Sequence, residues 1–484
     1  MQQSGVAFGT SGARGLVVQM TDAVCEAYVI AFLTVVARSF PFERVALGVD
    51  LRPSSPGIAG ACARAILSAG FRVDFCGALP TPALALYSQN GQIPAVMVTG
   101  SHIPFDRNGI KFYRPDGEIS KADESAMAEL HVALPGSDIS GVLPSVNQLA
   151  IKAYERRYLD FFPAGMLAGM RLGLYEHSSV ARDTFRQILE QLGAEVASLG
   201  RTDLFVPIDT EAVSTEDIDR GHAWSAEHRF DAIISADGDG DRPLIGDEHG
   251  NWLRGDIVGL LCARYLGVKC LAVPVSCNTA IEKCAAFDRV VRTRIGSPYV
   301  IAGMQQLGND ENSVAGFEAN GGFLLGSTVR RDGHMLEPLP TRDAVLPALA
   351  VLAAAREGRV TLSGLLNGLP GRYTSSDRLQ NFAANLSKRL INAWANAPAL
   401  FIAFFNGEFG TPVSLDLTDG LRLMFDDQTI VHLRPSGNAP ELRCYSEASS
   451  PEVAERMTRT VLARIEQAAS AGAFDNLRVF DDYS

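Results

Sequence analysis

Asp237, Asp239 and Asp241 alternate with glycines in Ala236-Asp237-Gly238-Asp239-Gly240-Asp241-Arg242, directly after the apolar run Phe230-Asp231-Ala232-Ile233-Ile234-Ser235. A short run rich in β-branched residues reads as a buried strand. In an extended segment every second side chain points the same way, so the three carboxylates are expected to converge. Three such charges repel one another unless a cation neutralises them, and hard oxygen ligands favour Mg²⁺ or Ca²⁺ over zinc. A solvated acidic turn is the plain alternative. A calcium-binding helix-loop-helix fits the spacing in part, with Glu248 as its last ligand. Arg242, however, stands where that loop needs glycine, and the preceding segment reads as a strand. An arginine beside a metal at a strand end suits phosphate: the cation binds phosphate oxygens and Arg242 takes a remaining one.

Five further segments carry reactive side chains. Thr99-Gly100-Ser101-His102-Ile103-Pro104 follows the apolar run Ala95 to Val98, at the kind of strand end where open α/β sheets bind ligands. Ser101 is a candidate nucleophile without a Gly-x-Ser-x-Gly elbow; equally, it caps the next turn while His102 packs or hydrogen-bonds. Asn108-Gly109-Ile110-Lys111 reads as a turn followed by a lysine, which taken alone is more often a surface charge than a catalytic group. In Gly316-Phe317-Glu318-Ala319-Asn320-Gly321-Gly322, Glu318 and Asn320 suit the hydroxyls of a polyol, although a glycine turn with an incidental acid looks the same. Leu433-Arg434-Pro435-Ser436-Gly437-Asn438 offers a phosphate cradle or an ordinary turn between strands. The glycine-rich Gly9-Thr10-Ser11-Gly12-Ala13-Arg14-Gly15 lacks the nucleotide P-loop pattern and contributes Arg14 as a candidate buried arginine.

The elements that must position these loops alternate between strand and helix. Over residues 1–150 the pattern predicts a helix from Thr21 to about Ser39, a strand at 45–49, a helix at 55–68 ended by Gly70, and strands at 71–75 and 95–98. This rhythm signals an α/β unit with a largely parallel sheet. A turn-rich stretch and a linking helix at 151–161 lead to a second α/β unit, with strands at 171–175, 194–198 and 230–235 and a helix near 179–192. A third starts near Asp256, with helices to Tyr265, from Thr279, after Ser297 and over 342–355, and strands at 271–275, 289–293 and up to Phe317. Beyond Pro370, strands at 412–417, 421–425, 429–433 and 442–445 precede a long helix at 451–469, an α+β pattern. The expected domains are 1–150, 151–253, 254–370 and 371–484.

Bulk properties narrow the class. A chain of 484 residues is too long for one ordinary domain. Apolar residues make up 47% and charged residues 20%, as in ordinary globular proteins. The net charge of −12 disfavours general nucleic-acid binding. Eight scattered cysteines without a Cys-x-x-Cys pair read as reduced, mostly buried thiols, and with no signal-peptide pattern at the N-terminus they point to the cytoplasm. The longest apolar stretch, Ala27 to Ala37, is too short to cross a bilayer.

Together the loops resemble the α-D-phosphohexomutase family of phosphomannomutases, phosphoglucomutases and phosphoglucosamine mutases. The resemblance spans the chain, with four signature loops in family order. Thr99 to Pro104 looks like the phosphoserine loop, with Ile103 where asparagine is usual. Asp237 to Arg242 matches the metal loop in full. Glu318-Ala319-Asn320-Gly321-Gly322 looks like the sugar-specificity loop, usually Glu-x-Ser-Gly-His, with Asn320 replacing the serine and Gly322 the histidine. Arg434 to Asn438 resembles the phosphate-binding loop, with Asn438 where threonine is common.

The resemblance implies three similar α/β domains with mixed sheets plus a smaller C-terminal α+β domain around a central cleft. It implies a phosphoryl group on Ser101, one Mg²⁺ held by Ser101, Asp237, Asp239 and Asp241, and exchange between hexose 1- and 6-phosphates through a hexose 1,6-bisphosphate. Arg14, His102 and Lys111 are the implied proton-handling residues; Arg242, Gly296, Ser297, Glu318 and Asn320 the sugar contacts; Arg434, Ser436, Gly437 and Asn438 the anchor for the non-reacting phosphate. The expected partner is a small phosphosugar rather than nucleic acid or membrane, and the expected state a monomer or homodimer. Mannose is the first choice of hexose, with glucose also accepted. The alternative is a phosphoglucosamine mutase, which the segments 8–15 and 104–112 also resemble. A sugar phosphatase and a non-catalytic sugar-phosphate binder are the remaining rivals.

Overall fold

In the computed structural model, residues 1, 4–9, 12–134, 141–308, 313–436 and 440–474 are described. They form two units: Met1–Ala272 with Gly296–Gly368, and Val273–Ile295 with Leu369–Ser484.

The first unit holds three mixed sheets. The first runs Ala7–Phe8, Ala13–Leu16, Arg107–Arg114, Ala95–Val98, Arg44–Val49, Arg72–Ala78, with Gly117–Glu118 paired to Arg107–Arg114. Its central strands are parallel, as the alternating pattern predicts, but Arg107–Arg114 pairs antiparallel with Ala95–Val98. The predicted turn at Asn108-Gly109 is therefore corrected: both residues are buried within a strand. The Asn108 amide donates to Ser54 and Ser55, which satisfies a side chain that would otherwise favour a turn. Helices Asp22–Val36 and Ser55–Ser68 pack together on this sheet through small and branched residues such as Ala31, Phe32, Ala59, Cys62 and Ile66.

The second sheet orders Pro243–Gly246, Ala232–Ala236, Arg171–Tyr175, Glu195–Leu199. Ala232–Ala236 is parallel to Arg171–Tyr175 and antiparallel to Pro243–Gly246. The third sheet includes Cys270–Pro274, Val314–Phe317, Phe323–Leu325 and Leu339–Asp343 in that order. The predicted helix at 342–355 is corrected at its start. Arg342 lies in the strand Leu339–Asp343, and the helix is Val345–Gly358. Asp343 makes the break: its carboxylate accepts Val345 N at 2.9 Å and the hydroxyls of Tyr154 and Tyr158 from the helix Leu149–Phe161.

The second unit is an antiparallel sheet, Tyr373–Leu379, Leu442–Ala448, Ile430–Pro435, Leu421–Phe425, Pro412–Asp416. The helix Pro451–Ser470 buries Ala454, Met457, Val461, Leu462 and Ile465, a spacing that places them on one face. Trp394, Phe401, Phe405, Phe409 and Phe425 fill the rest of the core. Residues 273–295 pack into this unit: Thr279 binds the Glu447 carboxylate, and Asn278 donates to Arg372 O.

The eight cysteines are all free thiols, and seven are buried. Among the described residues no helix is long and apolar enough to cross a membrane.

His432, in the strand Ile430–Pro435, is buried. Its Nε2 donates to Asp419 O at 2.6 Å, its ring stacks on Tyr445, and Nδ1 meets no hydrogen-bond partner among the described residues. Burial, with help from Arg422 and Arg434, lowers its pKa to about 4 against the pull of Asp419. The unfolded chain binds this proton near pH 6.5 and the folded one only near pH 4, so stability is lost as pH falls across that window. Between pH 7.5 and 5 the second unit should lose about 2 kcal/mol more in the native protein than in His432→Gln. Amide exchange of Ile430–Pro435 and Leu442–Ala448 at the two pH values measures this. Equal losses in both proteins would refute it.

Candidate active site

Three strand ends in the first unit carry the chemistry: Ala95–Val98 leads to Ser101, Ala232–Ala236 to the acidic loop, and Val314–Phe317 to Glu318. The acidic loop brings its carboxylates together, but not by the predicted extended alternation. It is a tight turn between the antiparallel strands Ala232–Ala236 and Pro243–Gly246, closed by Asp237 N to Arg242 O at 3.0 Å and Gly240 N to Asp237 O at 3.2 Å. Gly240 takes a φ of +69° that this turn requires. One oxygen each of Asp237, Asp239 and Asp241 lies within 4.8 Å of the others, and all three residues are buried. Glu248, the last ligand of the rejected calcium loop, is elsewhere, accepting from the Ser363 backbone and hydroxyl.

Ser101 faces this cluster. Its Oγ donates to Asp237 Oδ2 at 2.6 Å. The residue has a φ of +53°, a left-handed conformation that non-glycine residues adopt only when the surroundings enforce it. Ser101 N is taken by Thr99 Oγ1 at 2.8 Å. Arg52 donates to four carbonyls of the same loop, those of Ser101, Ile103, Pro104 and Arg107, at 2.5–2.9 Å. Arg52 itself is fully buried, paired with Asp50 at 3.3 Å and stacked over Phe205. A side chain at Gly238 would start 2.7 Å from Ser101 O, so only glycine lets the two loops meet.

Lys111 is not the surface charge that it suggests when taken alone. It is 3% exposed, and its Nζ lies 2.6 Å from both Asp239 and Asp241. The register explains the reach, since Lys111 pairs with Met97 in the strand beside the one that carries Ser101. His102 Nδ1 lies 3.0 Å from Arg242 Nη1 and 3.3 Å from Ser101 Oγ. A guanidinium can only donate, so Nδ1 accepts here. Arg242 lies 3.5 Å from Asp241 and 3.9 Å from Asp237.

Electrostatics separate the three acids. Burial, then repulsion from Asp239 and Asp241, raises Asp237 well above the usual carboxylate range. Burial and Asp241 push Asp239 the same way, but Lys111 and Thr81 overcome them and hold it below that range. Asp241 is held low against its burial by Arg342, Lys111 and Arg242. Arg14 is pushed down to about 10 by burial and then by Arg242 and Arg342, against the attraction of Asp239 and Asp241.

The other expected site residues divide. In the first unit, Glu318 is buried and pairs with Arg342 at 3.1 Å, while Asn320 Oδ1 accepts Gly322 N and so closes its own loop. Gly296 has a φ of +129° and precedes the helix Ser297–Leu307; the Ser297 hydroxyl is buried and donates to Glu118 at 2.8 Å. In the second unit, Arg434 pairs with Asp419 at 2.9 Å, and Ser436 N donates to Glu441 O. Gly437 and Asn438 lie outside the described residues, as do Thr10 and Ser11 of the N-terminal loop.

Four residues of this site escaped the reading of the sequence. Arg342 touches Asp241 and Glu318. Thr81 donates to Asp239 Oδ2 at 2.5 Å and its N–H to Asp239 O. Asp50 and Arg52 frame the Ser101 loop. The last pair had a signal, because charged residues directly after the buried run 45–49 sit at a strand end like the other site residues. Thr81 had none beyond its place before an apolar helix.

Comparison with known proteins shows the family. A family model described as phosphoglucomutase/phosphomannomutase, alpha/beta/alpha domain I, matches residues 5–132, and the corresponding domain III model matches residues 254–373. A phosphomannomutase of Salmonella muenchen is 50% identical over 471 residues, covering 96% of this chain and 97% of that one. One from Sinorhizobium fredii is 45% identical, covering 95% and 98%. A solved phosphoglucomutase/phosphomannomutase family protein from Burkholderia thailandensis shares the fold with a TM-score of 0.72 at 20% identity, over 96% of this chain and 97% of that one. The two family models together span about half of the chain, the two mutases run nearly its full length, and the chain belongs to the α-D-phosphohexomutases, the phosphoglucomutase/phosphomannomutase family.

Proposed function

We propose that this phosphohexomutase interconverts mannose 6-phosphate and mannose 1-phosphate, accepts glucose phosphates as well, and works through phosphorylated Ser101 and a hexose 1,6-bisphosphate. The observation that carries the reading is Ser101 Oγ, held 2.6 Å from Asp237 on a left-handed backbone beside three buried carboxylates. Mannose is supported by the names of the two relatives at 45–50% identity.

Mg²⁺ suits the donor set. The three ligands are hard oxygens, and Asp239 Oδ1 and Asp241 Oδ1 are buried without a hydrogen-bond partner among the described residues. Asp237, Asp239 and Asp241 would hold it together with the group on Ser101. When bound, the cation supplies positive charge to the phosphoryl oxygens and to the leaving serine oxygen.

The protein's own residues do the rest. The bond from phosphorus to Ser101 Oγ breaks as one forms to the free sugar hydroxyl, whose proton passes to the protein. The bisphosphate then turns over and returns its other phosphate to Ser101, so no water is consumed. Arg14, His102 and Lys111 are the groups that handle the proton, and the lowered pKa of Arg14 eases the loan of one. Arg242 neutralises charge beside the transferring group. Glu318 and Asn320, with Gly296 and Ser297, orient the sugar. Arg434, Ser436, Gly437 and Asn438 anchor the distal phosphate. The domains 1–150, 151–253, 254–370 and 371–484 supply these loops in turn, with residues 273–295 packed against the last. The free cysteines and the charge of −12 support a cytoplasmic enzyme that acts on a small phosphosugar.

Intact-protein mass spectrometry should find one phosphoryl group, absent in Ser101→Ala together with mutase activity. Near-native activity in Ser101→Ala would overturn the reading, as would free phosphate released at the rate of turnover. Values of kcat/KM for mannose, glucose and glucosamine phosphates should rank mannose first.

Thr81 fixes Asp239, and loss of such an outer partner typically weakens metal affinity 10–100-fold. Thr81→Val should therefore raise the Mg²⁺ concentration for half-maximal activity by about 10–100-fold, with kcat at saturating Mg²⁺ largely kept. An unchanged Mg²⁺ requirement would show that the Thr81 contact does not set metal affinity.

A further inference from the structure

Gly322 and Arg342 occupy one space. A Cβ built on Gly322 would lie 2.7 Å from both Cγ and Cδ of Arg342 and 3.0 Å from its Cβ. These are stem atoms close to the backbone, so the clash is not relieved by moving a flexible tip. No side chain fits at 322 while Arg342 holds its position. The sugar loop therefore lacks a group at the place where the resembling pattern has histidine, and an arginine from another strand fills the volume.

That arginine is fully engaged. Its Nε donates to Asp241 Oδ2 at 3.0 Å, Nη2 lies 3.0 Å from the same oxygen, and Nη1 donates to Glu318 Oε2 at 3.1 Å. It is 2% exposed. Its backbone is held by the next residue, because Asp343 receives the hydroxyls of Tyr154 and Tyr158 and the N–H of Val345. One planar guanidinium thus ties an acid of the cation cluster to the acid of the sugar loop. Glu318 Oε1 takes no hydrogen bond among the described residues, so the fork fixes one oxygen and leaves the other for a sugar hydroxyl.

We infer that Arg342 is a positioning residue that sets hexose selectivity, by fixing Glu318 Oε1 relative to the acidic cluster in space vacated by Gly322. Selectivity among hexose phosphates rests on a few hydrogen bonds to hydroxyls, and a site that presents a rigid acceptor rejects an epimer that cannot meet it. An acceptor free to swing accommodates both. The inference depends on the sugar-phosphate reading above, which wild-type turnover tests separately.

The test uses the wild-type protein and five variants: Arg342→Met, which keeps the stem and loses the fork; Arg342→Lys, which keeps the charge and one contact; and Gly322→Ala and Arg342→Ala, each alone and together. Phosphoryl occupancy of Ser101 by mass spectrometry and the thermal midpoint report folding. Arg342→Met should raise KM for the preferred hexose phosphate at least tenfold and bring the kcat/KM ratio between mannose and glucose phosphates several-fold closer to one. Lysine should restore part of the ratio. In a Ser101→Ala background, calorimetry should show the same weakening of mannose 6-phosphate binding, with no turnover involved. Gly322→Ala should be strongly impaired alone and add little in Arg342→Ala.

A fall in kcat for both sugars with the selectivity ratio and KM unchanged would overturn the inference and leave Arg342 a support for Asp241. Additive Gly322→Ala and Arg342→Ala effects would overturn the shared-space argument. A wild-type protein without mutase activity would instead overturn the functional reading.

Discussion

Three carboxylates are buried within 4.8 Å of one another, and the first unit is organised around the cost of that charge. At an effective dielectric near 20, each pair of unit charges at such a distance repels by roughly 3–4 kcal/mol. Desolvation adds to it. The protein answers with cations from separate elements: Lys111 from the strand Arg107–Arg114, Arg342 from the strand Leu339–Asp343, and Arg242 from the loop itself. These cations balance the cluster unequally. Asp239 and Asp241 are held ionised by direct contacts, while Asp237, which faces Ser101, is left raised. A divalent ion entering such a site would meet prepared acceptors, two of which have an oxygen without a hydrogen-bond partner among the described residues.

The Ser101 loop is organised by the opposite device. Ser101 is held in an unfavourable backbone conformation by Arg52, which donates to its carbonyl, and by Thr99 Oγ1, which accepts from its N–H. Because Arg52 is itself paired with Asp50 and covered by Phe205, the loop is set before any substrate arrives. Strain of about 1–3 kcal/mol at such a residue persists only when the surroundings over-determine it, and four carbonyl contacts from one side chain do so. The Ser101 loop and the acidic loop therefore meet at Gly238, where no side chain fits.

Most elements were legible because strand and helix periods differ and because glycine and proline mark the boundaries. The helix Ser55–Ser68 and the strand Arg171–Tyr175 fall where the pattern puts them. The acidic loop, Ser101 and Glu318 stood out as candidate site residues because each follows an apolar run, and strand ends are where open α/β sheets bind ligands. What escaped detection was tertiary in origin. Asn108-Gly109 looks like a turn until Ser54 and Ser55 are seen to satisfy the Asn108 amide. Arg342 reads as the first turn of a helix until Tyr154 and Tyr158, nearly two hundred positions away in the chain, take the Asp343 carboxylate. Thr81 is one hydroxyl among many, and only its approach to Asp239 gives it meaning.

Residues 273–295 pack with 369–484, while the chain on both sides of them belongs to the first unit. The polypeptide therefore passes between the two units three times, and no single cut separates them. A protein shortened after Gly368 would keep Asn278, Thr279 and Arg292 but lose Arg372 and Glu447, the groups that seat that segment. Gene fusion or exchange of the C-terminal portion would meet the same obstacle, since a transplanted tail must recognise a foreign insert. Residues 273–295 and the C-terminal portion therefore have to be exchanged as one set.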